Sequence, residues 1–420
     1  MRPFFVILCL LVFTRLYAQD ESLFDWDIDS IFDEPLEESE FDDTKSETTA
    51  ADIIKQQSFN FSASYSFTTG IMPGWSAPPW GSDGSKQVRS LFLDRAILMT
   101  TSISMDAQIS RTFRVYSSFG FQIPAFGFGL GNFFFDYNLN DVVFFRGGKF
   151  SQSWGISPNY NFTDLLARVS PAHNAGESFI FKADIPSGVG GFQFLVMTRE
   201  NLMAGGMLLG KEDFGYGAKY NLAFSGADID MGLFYQDGMA LRSFLSVKTT
   251  IRKTDVYSEG LIAIDINDPS NSSGAVSLGF GKDFLEGKLS VNSELFYNGE
   301  KGAFWYRPET NMREAGSVPF IEGLNIALNL QYKFGVWGDP RVYTQIRYAL
   351  LENSAQFIPG FVIYPLPHIS VSFAMPMALG DRYGYYSRNT PTVNTLGQPI
   401  PFRMIFLVSL SGGINFGISR

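Results

Sequence analysis

Phe402-Arg403-Met404-Ile405-Phe406-Leu407-Val408-Ser409-Leu410-Ser411-Gly412-Gly413-Ile414-Asn415-Phe416-Gly417-Ile418 stands at the C-terminal end of the sequence, and its reading decides the fold. Every second residue from Phe402 to Ile418 falls in one series that is apolar apart from Gly412, and Ser409, Ser411, Gly413, Asn415 and Gly417 between them are small or polar. Side chains alternate faces along a strand, so this is one strand with an apolar face and a polar face. A strand in a soluble domain runs about 5–6 residues. A longer alternating strand fits an antiparallel transmembrane β-barrel, whose outer face meets lipid and whose inner face meets water.

The pattern recurs upstream. Phe59, Phe61, Ala63, Tyr65 and Phe67 alternate with Asn60, Ser62, Ser64 and Ser66. Further strands are predicted near 96–109, 112–124, 126–139, 142–150, 176–186, 190–199, 213–225, 227–238, 241–253, 255–267, 273–284, 287–298, 318–334, 340–352, 357–364, 367–376 and 402–419. Pro359, Pro365 and Pro367 weaken two of these, because proline cannot donate to a ladder. The expectation is an all-β barrel of about 16–18 strands over residues 57–420. Its connections check the count. Counted from the N-terminus, the even connections are short and the long ones (69–95, 151–175, 200–212, 299–317, 377–401) are all odd, as in a barrel with short turns on one rim and loops on the other. Trp75, Trp80, Trp154, Trp305 and Trp337 all lie in or beside connections, where interfacial girdles put them.

The composition agrees. Phe alone accounts for 42 of 420 residues, and mean hydropathy is near zero at +0.02. Outward apolar and inward polar residues cancel in any hydropathy window. Residues 1–18 read as a secretory signal peptide, with Arg2, an apolar run from Phe4 to Phe13, and Ala18 at the cleavage point. The single cysteine, Cys9, lies in that run, so the mature chain has no thiol and no disulfide. Residues 19–56 read as an acidic disordered arm: Gln19 to Asp52 holds 14 acidic residues and one basic residue. Within it Phe24, Trp26, Ile28 and Phe32 interleave with acids, which reads either as a docking motif for a periplasmic partner or the lumen mouth, or as a solvated tether. From Ile53 onward 29 basic residues face 28 acidic ones, which excludes the basic patch of a nucleic-acid binder.

With these features the chain resembles the porin-like outer-membrane β-barrels of diderm bacteria, in the low-cysteine, Phe-rich style of spirochaetal proteins. Phe145-Arg146-Gly147-Gly148-Lys149-Phe150 followed by Trp154-Gly155 is similar to a strand-and-loop pattern of substrate-selective porins. The resemblance implies an outer-membrane channel, embedded in lipid, that passes small polar solutes without a cofactor. It also implies insertion by the barrel-assembly machinery and a homotrimer. One departure is Arg420, where such barrels usually end in Phe or Trp. Phe162 to Arg168 reads as a short helix capped by Thr163. By resemblance this third external loop folds inward, with Asp164 and Arg168 at the constriction; the alternative is a loop lying over the rim.

The polar face of the strands supplies the lumen. Pore-lining candidates there are Arg114, Lys182, Lys219, Arg242, Lys248, Arg252, Glu259, Glu294 and Arg347. Inward bases slightly exceed inward acids, which predicts a weak anion preference; pairing of the charges would abolish it. Enzymatic constellations are scarce. His173 and His368 are the only histidines, Ser370 and Ser372 follow the second, and no His/Asp cluster has metal-ligand spacing, so neither catalytic nor metal residues are assigned. Two other readings remain: a transporter of hydrophobic substrates of the fatty-acid type, for which inward Phe244, Tyr257 and Phe296 speak, and a surface adhesin or ligand-binding barrel using the loops at 69–95 and 377–401.

Overall fold

The computed structural model describes residues 58–75, 91–124, 127–163, 179–198, 214–237, 240–266, 268–299, 304–306, 313–315, 322–380, Tyr386 and 402–419. Signal peptide and arm lie outside these residues, as do Trp80, Asp164, Arg168 and His173. Eighteen antiparallel strands close into one barrel. They are β1 (Ser58–Trp75), β2 (Leu91–Ser110), β3 (Phe113–Ile123), β4 (Gly127–Leu139), β5 (Val143–Lys149), β6 (Phe179–Ser187), β7 (Gly190–Thr198), β8 (Phe214–Phe224) and β9 (Ala227–Gln236). Then follow β10 (Leu241–Ile251), β11 (Thr254–Ile264), β12 (Ser273–Phe284), β13 (Leu289–Asn298), β14 (Gly323–Lys333), β15 (Arg341–Ala349), β16 (Ser354–Leu366), β17 (Ile369–Ala374) and β18 (Ile405–Ser419). Two short pieces, Met377–Gly380 and Phe402–Arg403, extend the ladder beside β16 and β1, and Phe304–Tyr306 pairs with Arg313–Ala315 in a separate small hairpin.

Closure is made by the C-terminal strand. β18 pairs with β1 from Ser58↔Ser419 through Tyr65↔Gly412 to Ile71↔Phe406. The Tyr65 ring lies across Gly412, where a Cβ would stand 2.7 Å from its hydroxyl. The proline-bearing strands form as expected. The Pro359 carbonyl accepts from Met375 N, so its missing N–H faces the break in the partner between Ala374 and Met377. Pro365 falls in a register shift between Ile363 and Leu366.

The outer face is apolar and exposed, as at Phe67, Ile103, Phe194, Leu245, Leu278, Phe361 and Phe406. The short-turn rim uses left-handed pairs. Asn140-Asp141, Arg252-Lys253 and Leu285-Glu286 all have φ between 49° and 62°, and Arg252-Lys253 forms a two-residue hairpin, where that geometry matches strand twist. Trp337 projects from the turn between β14 and β15, and the Trp75 ring packs 5.0 Å from Phe402 at the opposite rim. Trp154 departs from the girdle expectation: it is buried inside the barrel.

Candidate permeation pathway

Residues 150–163, which follow β5, run inside the barrel. The end of β5, just before the chain enters the lumen, needs glycine. Gly148 has φ +138°, and a Cβ there would lie 2.2 Å from the Phe133 carbonyl oxygen. Beyond it Phe150, Trp154, Tyr160 and Phe162 are all buried. Trp154 packs 5.7 Å from the Phe244 ring and over Gly217, where a Cβ would meet its ring at 2.6 Å. Its Nε1 donates to Gln193 Oε1 at 2.7 Å. Tyr160 stacks on Phe296 at 4.9 Å, and Phe162 contacts the same ring. Phe244, Tyr257 and Phe296 therefore pack beneath the loop instead of lining an open apolar chamber.

Two glutamates hold the loop backbone. Glu259 Oε1 accepts from Ile156 N at 2.7 Å, Thr163 Oγ1 at 2.8 Å and Ser246 Oγ at 2.9 Å. Glu294 accepts from Ser157 Oγ at 2.6 Å, Asn159 N at 3.1 Å and the Tyr257 hydroxyl at 3.3 Å. The Asn159 amide group bridges Asn292 and Asn329. Loop N–H groups cannot reach a strand ladder, and buried carboxylates on the wall satisfy them. The tip meets a second connection: the hydroxyls of Tyr160 and Tyr386 are 3.3 Å apart.

The wall from β2 to β9 carries paired charges instead. Arg114 donates through Nε and Nη2 to both oxygens of Asp106 at 2.7 Å. Arg146 grips Asp136 at 2.6 and 3.0 Å and lies 4.3 Å over the Phe134 ring. Arg114, Asp136, Arg146 and Lys182 occupy one cross-strand row. Lys182 pairs with Asp184 and Lys219 with Asp230, each at 3.1 Å. A recess of about 280 Å³ opens among Arg114, Asp136, Arg146, Lys182 and Asp184.

The predicted pore residues thus separate into groups. Arg114, Lys182 and Lys219 sit in ion pairs on one wall, and Glu259 and Glu294 grip the loop on the other. Lys248 is inward and exposed, in register with Asp228. Arg242 is buried at the far end of the same strand. Arg347 shares a row with Ala327 and Glu294. Arg252 lies in a turn between strands instead of within one. The predicted helix at 162–168 lies outside the described residues after Thr163, and Phe162-Thr163 form a turn. His368 stands in the turn before β17. Asp106, Asp136 and Arg146 were missed by the sequence reading, although alternation with outward Met105, Phe135 and Phe145 marks them as inward. In the external connection after β11, the Ser270 hydroxyl and amide hold the Asp268 carboxyl below its usual range.

A closed barrel of this size, apolar outside and polar inside, with a loop seated in its lumen, is a porin-like membrane barrel. Two solved structures share that fold. OpdO of Pseudomonas aeruginosa aligns with a TM-score of 0.50 and 10% identity over 86% of this chain and 98% of its own. OccK11 (OpdR) of the same organism aligns with a TM-score of 0.50 and 8% identity over 84% and 96%. A Rhodopseudomonas blastica porin aligns at 0.43 with 12% identity over 84% and 100%. No protein-family model and no curated protein matches the sequence.

Proposed function

We propose that this protein is an outer-membrane channel through which small polar solutes diffuse passively, its bore narrowed by residues 150–163. The observation that carries this reading is the division of the lumen: the loop seats on the side from β7 to β14, and the paired charges from β2 to β6 keep a polar, water-facing surface. No chemical step and no cofactor is needed; solutes exchange bulk water for wall hydroxyls, amides and paired charges. Because the described bases of that wall sit beside acids, any preference for anions is weak. β1 begins at Ser58 on the short-turn side, which supports a periplasmic acidic arm whose Phe24–Phe32 motif is available to a partner there. Insertion by the barrel-assembly machinery and a trimeric assembly follow from the same reading.

Single-channel recording on the refolded mature protein, with and without residues 19–52, tests it. Steady openings in both forms support the channel and make the arm a docking segment. Openings only after truncation make the arm a plug. Silence from a folded barrel in both forms would overturn the reading.

A further inference from the structure

The seat of the loop carries negative charge with nothing positive against it. Glu259 and Glu294 are each 1% exposed, and every contact they make among the described residues comes from an amide or a hydroxyl, none from Lys, Arg or His. The two oxygens of Glu259 are unequal. Oε1 takes three donors, while Oε2 is buried without a hydrogen-bond partner. A second buried acceptor, Asn161 Oδ1, also has no partner.

Asn161 Oδ1 and the Thr163 hydroxyl converge over one glycine. Gly155 has φ +102°, and a Cβ on it would stand 2.2 Å from Asn161 Oδ1 and 2.4 Å from Thr163 Oγ1. The two oxygens are therefore no more than about 4.6 Å apart, facing one another across a backbone that carries no side chain. Thr163 Oγ1 is in turn 2.8 Å from Glu259 Oε1. Asn161, Thr163, Glu259 and, beyond it, Ser246 form a group of hard oxygen atoms assembled from loop and wall.

A buried carboxylate needs a neutralising partner. A hard cation would use the free lone pairs directly. We propose that the junction of Gly155, Asn161, Thr163 and Glu259 is a site for a divalent hard cation, with calcium the best fit, that pins the inward loop to the wall. Calcium accepts irregular shells of carboxylate, amide and hydroxyl oxygens, whereas magnesium demands a near-ideal octahedron. One direct carboxylate, with Glu294 adding charge nearby, suits an affinity on the order of 10⁻⁴–10⁻³ M, the range of extracellular calcium modules. Among the described residues no group of three acids, histidines or cysteines occurs, so spacing in the sequence gives no sign of the site. The proposal does not rest on the channel reading.

Terbium luminescence, excited through Trp154 and Tyr257 and titrated with calcium, tests it on the refolded full chain in detergent. Wild-type protein should release terbium to calcium. Glu259→Gln should lower calcium affinity about tenfold or more, and Asn161→Asp, which adds a carboxylate to the shell, should raise it by a similar factor. Asp268→Asn, in the exposed connection after β11, should titrate like wild type. Asn161→Asp keeps every wall contact, so the test stands even if Glu259→Gln does not refold. Equal calcium titrations in wild type, Glu259→Gln and Asn161→Asp would overturn the proposal and leave a proton as the neutralising species.

Discussion

The wall from β10 to β14 and the wall from β2 to β9 follow the same alternating pattern, yet they neutralise their inward charges differently. On the first, Glu259 and Glu294 have no basic neighbour in contact, and the amides and hydroxyls of residues 156–163 close over them. On the second, Asp106, Asp136, Asp184 and Asp230 each find an Arg or Lys on the same or the next strand, and no described loop residue bonds to them. A charge with its counter-charge in register stays at the water; a charge without one draws in the backbone. The backbone of residues 156–163 thus seats where Glu259 and Glu294 have no base in contact.

The contrast is broken most severely at Trp154. Its ring is 1% exposed and fits the notch at Gly217. Trp154→Ala should weaken loop seating by about 3–5 kcal/mol, the usual cost of emptying a large aromatic site. The barrel ladders do not involve this ring. The variant should therefore keep its heat-resistant migration in gels while its single-channel current becomes larger and noisier. Unchanged current would mean that the aromatic packing does not hold the loop.

Glu294→Ala removes the acceptor for Ser157 and Asn159 and leaves those donors buried. The expected loss is about 1–3 kcal/mol for a stranded polar group, read as brief high-conductance excursions above a normal baseline. Here a current as steady as wild type would count against the glutamate grip.

On the open wall the comparable change acts on selectivity instead. Asp136 serves both Arg114 and Arg146, at 3.6 and 2.6 Å. Asp136→Asn leaves Arg146 without its acid while Arg114 keeps Asp106, which adds one net positive charge at the recess. Reversal potentials in a salt gradient should shift toward anions, with stability falling by no more than about 1 kcal/mol because these groups are partly solvated. A shift toward cations would show that other charges set the preference.

Alternation made the barrel legible. Lipid and water sort residues by face, so even the strand holding Pro359 showed its period, and loop parity checked the count. The inward loop was only half legible. Phe162 and Thr163 read as the start of a capped helix, and which wall would receive them depends on contacts such as Thr163 to Glu259, which are 96 residues apart in sequence. Asp136 and Arg146 were hidden for another reason. The runs Phe133 to Phe135 and Phe144-Phe145 are apolar on both faces, because Phe134 turns inward to stack on Tyr116 and carry Arg146, and this blurs the period.

The two walls also differ at their feet, where the effect to be expected is smallest. The hairpin between β4 and β5 turns through Asn140-Asp141, and the one between β10 and β11 through Arg252-Lys253, both left-handed at φ values of 54°, 58°, 49° and 62° in chain order. Asn and Asp tolerate that region, and the Asn138 side chain accepts from Asp141 N at 2.8 Å to support it. Arg and Lys have no such help, and a left-handed residue with a Cβ costs about 1–2 kcal/mol. Lys253→Gly relieves one of them, against an entropy loss of about 0.5–1 kcal/mol for glycine on folding. The net gain should be about 0.5–1 kcal/mol, read as a modest rise in the temperature at which the barrel loses its compact gel mobility. Asp141→Gly, on the wall whose turn already suits its residues, should give no gain, since it forfeits an Asn138 contact. If both glycine variants melt alike, the strain at Arg252-Lys253 is absorbed by its strands.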